Sequence, residues 1–360
     1  MNWMDKMKIL SDGMGDWKSY LKADPTEWLL EEDNPSVRYF TLLDILDKPE
    51  NNPEVVDAKK KIMHTGVIPK ILAKQEPGGY WGSPLNFYLR GKYKGTSWQL
   101  IILAELGADF KDERIKRACE FILKNSQDPE SGAFSYISSK EVSGKKSGNK
   151  VSSKCGGDHE RVLPCLTANM TWSLIRLGYL DDERVQKAIK WLIKYQRFDD
   201  EPGKAPDEWP YKRWKRCWGE RTCHSIIIKT LKALAEIPLK NRTPEMEDYI
   251  AKGAEHMLNH HIHKRSQPPV KGSFKWLEFG FPLMWKVDAL EVLGLLTRLG
   301  YKDERMNEAL EFMISKQNPE GQWILENTFN GRFITNIERK GKPSKWITLN
   351  ALRVLKRYYS

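Results

Sequence analysis

The stretch LGYLDDERVQKAIKWLIKYQ, residues 177–196, decides how this chain is read. Gly178 offers the left-handed backbone conformation on which helices end. Asp182 can cap the next helix, with Glu183 adding negative charge to its first turn. Val185, Ala188, Ile189, Trp191 and Leu192 then recur at helical spacing. The stretch is therefore a helix end, a short turn and a second helix. It recurs upstream as LGADFKDERIKRACEFILKNSQ, residues 106–127, and downstream as LGYKDERMNEALEFMISKQ, residues 299–317. Self-similarity of this kind marks a repeat architecture.

Upstream of each Leu-Gly lies a more apolar helix: Ser97 to Leu106, Leu166 to Leu177 and Val287 to Leu299. A fourth copy runs from Thr222 to Ile237, with its outer helix from about Glu245 to Asn259. Val37 to Leu46 and Trp346 to Tyr358 have the character of first and last inner helices. Apolar helices suit an inner ring and charged ones an outer ring. The expectation is an all-α fold, an α/α toroid of about six inner and six outer helices forming a single domain over 1–360, with a flat solenoid as the alternative. Inner-to-outer turns are a few residues long. The return connections are long, roughly 75–95, 127–164, 196–221, 261–285 and 317–345. In a ring of hairpins they all emerge at one mouth, and long ordered loops commonly carry function.

The composition is that of a soluble globular chain, with 40% hydrophobic and 30% charged residues. No run of 18 apolar residues exists to cross a membrane, and the first residues do not read as a signal peptide. Five cysteines are too few and too irregular for a disulfide framework, which points to a cytoplasmic location. The net charge of +11 directs attention to anionic partners. Nine of the 14 tryptophans fall in the long loops or the first turns after them, which argues that these loops are ordered.

Several loops open with Gln, then Gly, then an aromatic residue. They are Gln75 to Trp81, Gln127 to Phe134 through Gly132, and Gln317 to Trp323 through Gly321, with a looser copy from Gln196 to Trp209. This pattern resembles the Q-x-x-x-G-x-W repeat of the terpenoid cyclase and protein prenyltransferase superfamily. The resemblance covers nearly the whole chain. It implies an α/α toroid whose central apolar cavity holds an isoprenoid chain. The acid motif D-x-D-D, with which bacterial squalene cyclases protonate an alkene, is absent. Pro164 to Asn169 is only faintly similar to the D-C-T-A-E of oxidosqualene cyclases and lacks its acid. Prenyltransferases hold zinc through D-x-C at the start of one inner helix and a His at the start of the next. Here Cys165 and His224 match, while Leu163 stands in place of the Asp.

Zinc takes about four nitrogen or sulfur ligands in a tetrahedron. The candidate metal set is Cys165, Cys217, Cys223 and His224, with Asp158 or His159 as substitutes. Its alternative is that Cys165 and Cys223 are small buried residues. A second group, His256, His260, His261 and His263, reads as the frayed end of an outer helix. Candidate acids are Asp288, Asp158 and Glu326, with Glu160 and Glu220 nearby. Asp288 in a first turn also suits plain capping. Aromatic and basic residues of the loops are the candidate ligand-binding set. Trp81, Tyr88 and Trp98 belong to the first loop and the helix after it, and Trp214, Arg216 and Trp218 to a middle one. Trp276, Trp285, Trp323, Arg332 and Trp346 come from the last two loops and the final helix. Aromatic faces stabilise carbocations and also stack sugars or bases. Basic side chains beside helix N-termini bind phosphate.

Three readings stay open. One is a prenyltransferase-like or cyclase-like protein that binds an isoprenoid or other anionic small molecule, with zinc as its cofactor. Another is a carbohydrate-active enzyme with two facing carboxylates. The third is a non-catalytic toroid gripping an anionic partner, nucleic acid among the candidates. Protein prenyltransferases work with a second helical subunit, and nothing in the sequence identifies one.

Overall fold

The computed structural model describes residues 16–89, 92–138, 161–199, 201, 204–219, 222–264 and 276–360. After a short turn at Trp17–Tyr20, the α-helices run in chain order as follows. They are α1 Thr26–Leu29, α2 Pro35–Asp44, α3 Pro53–Ile62, α4 Val67–Leu72 and α5 Thr96–Glu105. Then come α6 Glu113–Asn125, α7 Pro164–Arg176, α8 Glu183–Tyr195 and α9 His224–Leu234. The last four are α10 Pro244–Asn259, α11 Ala289–Arg298, α12 Asn307–Ser315 and α13 Lys345–Tyr359. This is the α/α toroid that the repeats call for. Its inner ring is α2, α5, α7, α9, α11 and α13, and α3, α6, α8, α10 and α12 lie outside.

Burial separates the two rings. In α5 every residue from Thr96 to Ala104 is buried, whereas α6 buries one stripe of Ile115, Ala118, Cys119, Ile122 and Leu123. Inner helices pack in chain order from α5 to α13, and α13 packs back on α2. Between α2 and α5 the seam is made by the Ser36 hydroxyl donating to the Leu106 carbonyl at 2.8 Å, with the Phe40 ring against Gly107. The ring is therefore closed, and a flat solenoid is ruled out.

Only five long outer helices accompany six inner ones among the described residues. The sixth outer place is taken by the chain's beginning: the Trp17–Tyr20 turn and α1 pack on α13, where Tyr20 and Tyr359 stack at 3.8 Å. The Gln-Gly-aromatic segments show how. In the first copy, Gln75 Nε2 donates to the Arg114 carbonyl at the start of the next outer helix, α6. In the second, Gln127 Nε2 donates to the Arg184 carbonyl at the start of α8. In the last, Gln317 Nε2 donates to the Tyr20 carbonyl at 2.9 Å. The aromatic residue also repeats its contacts. The backbone N–H groups of Trp81, Phe134 and Trp323 donate to the hydroxyls of Thr96, Thr167 and Thr348 on the following inner helices. Trp81 and Trp323 donate their indole N–H back to the preceding segment, at Ile71 and Met313. Each segment thus joins one hairpin to the next. In the looser fourth copy Gln196 pairs with the indole of Trp218, at 3.0 Å, rather than with Trp209, which packs against Trp191 and Tyr195.

The acidic turns are rim fasteners. Asp112, Asp182 and Asp303 each accept the backbone N–H of the Arg two residues on and grip its guanidinium. Arg184 and Arg305 then reach Glu120 and Glu255 on the preceding outer helices. The third copy departs slightly: Asp303 caps a 3-10 turn, Glu304–Met306, before α12 begins.

The glycine of the last segment has no room for a side chain. Gly321 has φ +72°, and a Cβ there would lie 1.9 Å from the Ala23 carbonyl oxygen. We expect Gly321→Ala to cost more than about 3 kcal/mol, from left-handed strain plus the clash. Urea unfolding measures it. A loss under about 1 kcal/mol would mean that the N-terminal segment does not close the ring as described.

Candidate functional site

The interior of the ring is crossed by charge. Lys229 and Lys232 of α9 both reach Glu291 of α11, at 2.7 and 3.1 Å. Lys232 also meets Glu105 of α5 at 2.5 Å. Helices α5 and α9 are not neighbours, because α7 stands between them. This pair therefore spans the lumen in front of α7, where the Trp172 ring lies 4.0 Å from the same ammonium. Burial works against the Lys232 charge, but Glu105 and Glu291 outweigh it and hold its pKa above the usual lysine range. Burial likewise opposes the charge of Glu291, and the two lysines hold its pKa below the ordinary value.

The far end of the lumen, where the inner helices finish, is also charged. Glu236 accepts both terminal nitrogens of Arg298, at 2.7 and 2.8 Å, and lies 3.6 Å from Arg176. Arg353 meets Asp44 at 2.5 Å, and both Arg176 and Arg353 lie over the Phe40 ring. Burial, with Arg353 close by, pushes the Arg357 guanidinium down to about 10. These cations stand at or near the C-terminal ends of α7, α11 and α13, where the helix dipole favours positive charge.

The mouth is bridged by aromatic rings. Tyr93, from the loop before α5, is 2% exposed and has φ +71°. It stacks on Phe329 at 4.3 Å and accepts a hydrogen bond from the Trp285 indole at 3.2 Å. Trp285 and Phe329 precede α11 and α13, which lie across the ring from α5. Trp98 and Phe333 complete the cluster at 4.9 and 6.3 Å from Tyr93. Cations surround it. Lys92 sits over both Tyr93 and Trp285, Lys286 over Phe329, and Arg332 over Tyr93. Burial first, and then Lys340 and Arg332 nearby, lower the Lys286 pKa, with Glu278 opposing them.

The expected ligand-binding residues divide. Trp98, Trp285 and Arg332 belong to this bridge, and Tyr88 backs it by stacking on Trp98 at 4.3 Å. Trp81, Trp218 and Trp323 are fully buried fasteners of the repeat. Trp346 stacks on Phe281 at 4.3 Å, and Trp214 lies under Arg213. Trp276 stands beside His224, ring centres 6.0 Å apart. The side chain of Arg216 lies outside the described residues, as do Asp158, His159, Glu160 and Glu220.

Asp288 and Glu326 do come together, but as anchors of one loop. Asp288 accepts the N–H of Gly280 at 2.9 Å and caps α11 through the N–H of Glu291. Glu326 accepts the N–H of neighbouring Phe279 and pairs with Lys316 at 2.5 Å. Burial pushes the Asp288 carboxyl up to about 7, with the two backbone N–H groups pulling the other way. At 2% exposure it is closed to a substrate in this arrangement.

The four expected metal ligands separate into two groups. Cys165, Cys217 and Cys223 gather at the tops of α7 and α9, packed with Trp218 and Ile226. The Cys217 thiol beside Cys223 favours the Cys223 thiolate, and burial raises Cys165 to about 11. His224 turns the other way. It lies on the same face of α9 as Ile227 and Leu231, which meet α10 at Gly253. There its ring faces His256 and His260, at 4.9 and 4.5 Å between centres. Cys223 is the extended N-cap of α9 and His224 its first helical residue, so the two side chains leave the chain in different directions. His256 and His260 were expected in a frayed helix end. Helix α10 does end at Asn259, with His260 as its C-cap, but its last turn is ordered and His256 is 6% exposed. The i, i+4 spacing of the two histidines was the available sequence signal.

No known protein family and no curated protein matches the chain by sequence. Among solved structures the similarity is distant. The type II terpene cyclase MstE from Scytonema is 15% identical, with 90% of this chain and 87% of that one covered and a TM-score of 0.41. A point variant of that cyclase in complex with geranylgeranyl dihydroxybenzoate is 14% identical, covering 91% and 87%, with a TM-score of 0.41. The likeness concerns the course of the chain and assigns no residue a role.

The lumen network has a pH signature. Burial opposes the Glu236 charge, but the Arg298 fork, with Arg176 and the Trp172 N–H, brings its pKa down to about 2 from 4.5. A carboxyl depressed on folding adds stability above its unfolded pKa and loses it as pH falls through the folded value. Roughly 3 kcal/mol is therefore present above pH 4.5 and gone by about pH 2. Glu236→Gln is expected to be less stable by that order at pH 7 and to approach wild type at pH 2–3. A constant difference across this range would contradict the assignment.

Proposed function

We propose that this toroid binds an anionic ligand, of the phosphate or diphosphate class, at the aromatic bridge over its mouth. The observation that carries the reading is the convergence of Lys92, Lys286 and Arg332 on the Tyr93–Trp285–Phe329 cluster, with Lys340 near Lys286. Like charges held this close repel one another, and an anion that bridges them relieves the repulsion. Charge-assisted hydrogen bonds from Lys and Arg supply the affinity. The aromatic faces hold the cations in place from below.

The isoprenoid half of the sequence expectation is less well supported. A tail entering the lumen would have to pass the Tyr93–Trp285 bridge and then displace Lys232 from Glu105 and Glu291. Leaving buried charges unpaired costs several kcal/mol, which offsets much of what burying a prenyl chain contributes. The glycosidase reading needs two carboxylates open to substrate, and Asp288 and Glu326 are engaged with the loop they anchor.

Binding is tested by titrating inorganic pyrophosphate and geranylgeranyl diphosphate while following tryptophan fluorescence. The two are expected to bind within about tenfold of each other, which is ~1.4 kcal/mol. Both should weaken with salt, and both by about tenfold or more in the Lys286→Ala/Arg332→Ala variant. A prenyl diphosphate more than about hundredfold tighter than pyrophosphate would restore the isoprenoid reading. Absence of binding by either would remove the anion site.

A further inference from the structure

We infer that His224, His256 and His260 form a binding site for a divalent ion of the zinc type, bridging an inner helix to an outer one at the mouth end of the ring. Helices α9 and α10 are in close contact at Gly253, where an added Cβ would lie 3.1 Å from Leu231 and 3.2 Å from Ile227. About one turn nearer the mouth, α9 presents His224 and α10 presents His256 and then His260. One ring nitrogen from each of the three histidines lies within 4.8 Å of those from the other two. A tetrahedral ion with Zn–N bonds near 2.0–2.1 Å spaces its ligands about 3.3 Å apart, so modest ring rotations close the site.

The hydrogen bonds set the tautomers in the sense that an ion requires. His256 Nδ1 lies 3.1 Å from the Phe198 carbonyl, and His260 Nδ1 lies 2.7 Å from the His256 carbonyl. A carbonyl oxygen only accepts, so each Nδ1 carries the proton and each Nε2 presents a lone pair. This carbonyl-to-imidazole arrangement is how metal-ligating histidines are usually oriented. Packing three imidazoles side by side has little purpose as hydrophobic burial. Three neutral nitrogens suit zinc, cobalt or nickel better than calcium or magnesium. Three protein ligands also leave a fourth position for water or an anion.

The full-length protein, free of any histidine tag and stripped with chelator, is titrated with Zn²⁺ by calorimetry and with Co²⁺ by visible absorption. One ion per chain is expected, with the strong d–d bands of low-coordinate cobalt. His260→Gln and His224→Gln should each weaken binding by about hundredfold or more, since each removes one of three ligands, while circular dichroism stays unchanged. Cys165→Ser and Cys217→Ser should keep wild-type affinity. Unchanged affinity in both histidine variants, loss confined to the cysteine variants, or no binding at micromolar Zn²⁺ would each overturn the site. Neither readout depends on anion binding at the mouth, so the two proposals fail separately.

Discussion

A ring of helical hairpins is stable only if the last hairpin finds the first, since any other end leaves an apolar face to water. Here α13 packs back on α2, and one joint completes the outer layer. Gln317 and Gly321 dock on the residues from Tyr20 to Ala23, so that among the described residues the segment from Trp17 to Leu29 takes the sixth outer place. The same joint, built from Gln75 and Gly79 or from Gln127 and Gly132, fastens earlier repeats to their successors. The inner helices that follow these joints, α5, α7 and α13, are each tied through a threonine hydroxyl, which helps register the side chains that meet across the lumen.

Given a closed ring, what fills the lumen determines what the protein can hold. Most of its charged residues pair with one another: Lys232 with Glu105 across the lumen, and Lys232 with Glu291, Arg298 with Glu236 and Arg353 with Asp44 between neighbouring elements. Buried ion pairs of this kind contribute little net stability but penalise any arrangement that leaves a partner alone. The lumen thus specifies its own contents. The mouth carries Lys92, Lys286 and Arg332 on an aromatic support, and the proposed binding chemistry lies there and at the histidine group at its edge.

Much of the fold was legible because its determinants are local. The Asp-x-Arg turns and the glycines after each inner helix act within a few residues, and each Gln-Gly-aromatic joint is a short motif in sequence even though its glutamine reaches 39 to 297 residues away. The site was harder to read because its contacts are not local. Tyr93 meets Trp285 across 192 residues, in loops whose course no periodicity reports. The metal expectation joined Cys165 to His224 by their matching places at helix starts and missed the helix phase that turns His224 toward α10. The charged lumen had left a trace: Lys229, Lys232 and Glu236 recur at helical spacing on an otherwise apolar segment, as do Arg353 and Arg357 on α13. Read as a stripe, they mark a polar face turned inward.

The account depends most on the claim that the inner ring meets itself across its lumen. The direct measurement is a double-mutant cycle between Glu105 and Lys232, residues of two inner helices that do not touch, using Glu105→Gln, Lys232→Met and the pair in urea unfolding. A coupling of about 1–3 kcal/mol is expected for a buried pair in contact. Additivity within about 0.5 kcal/mol would mean that the two charges do not meet and that the lumen is open.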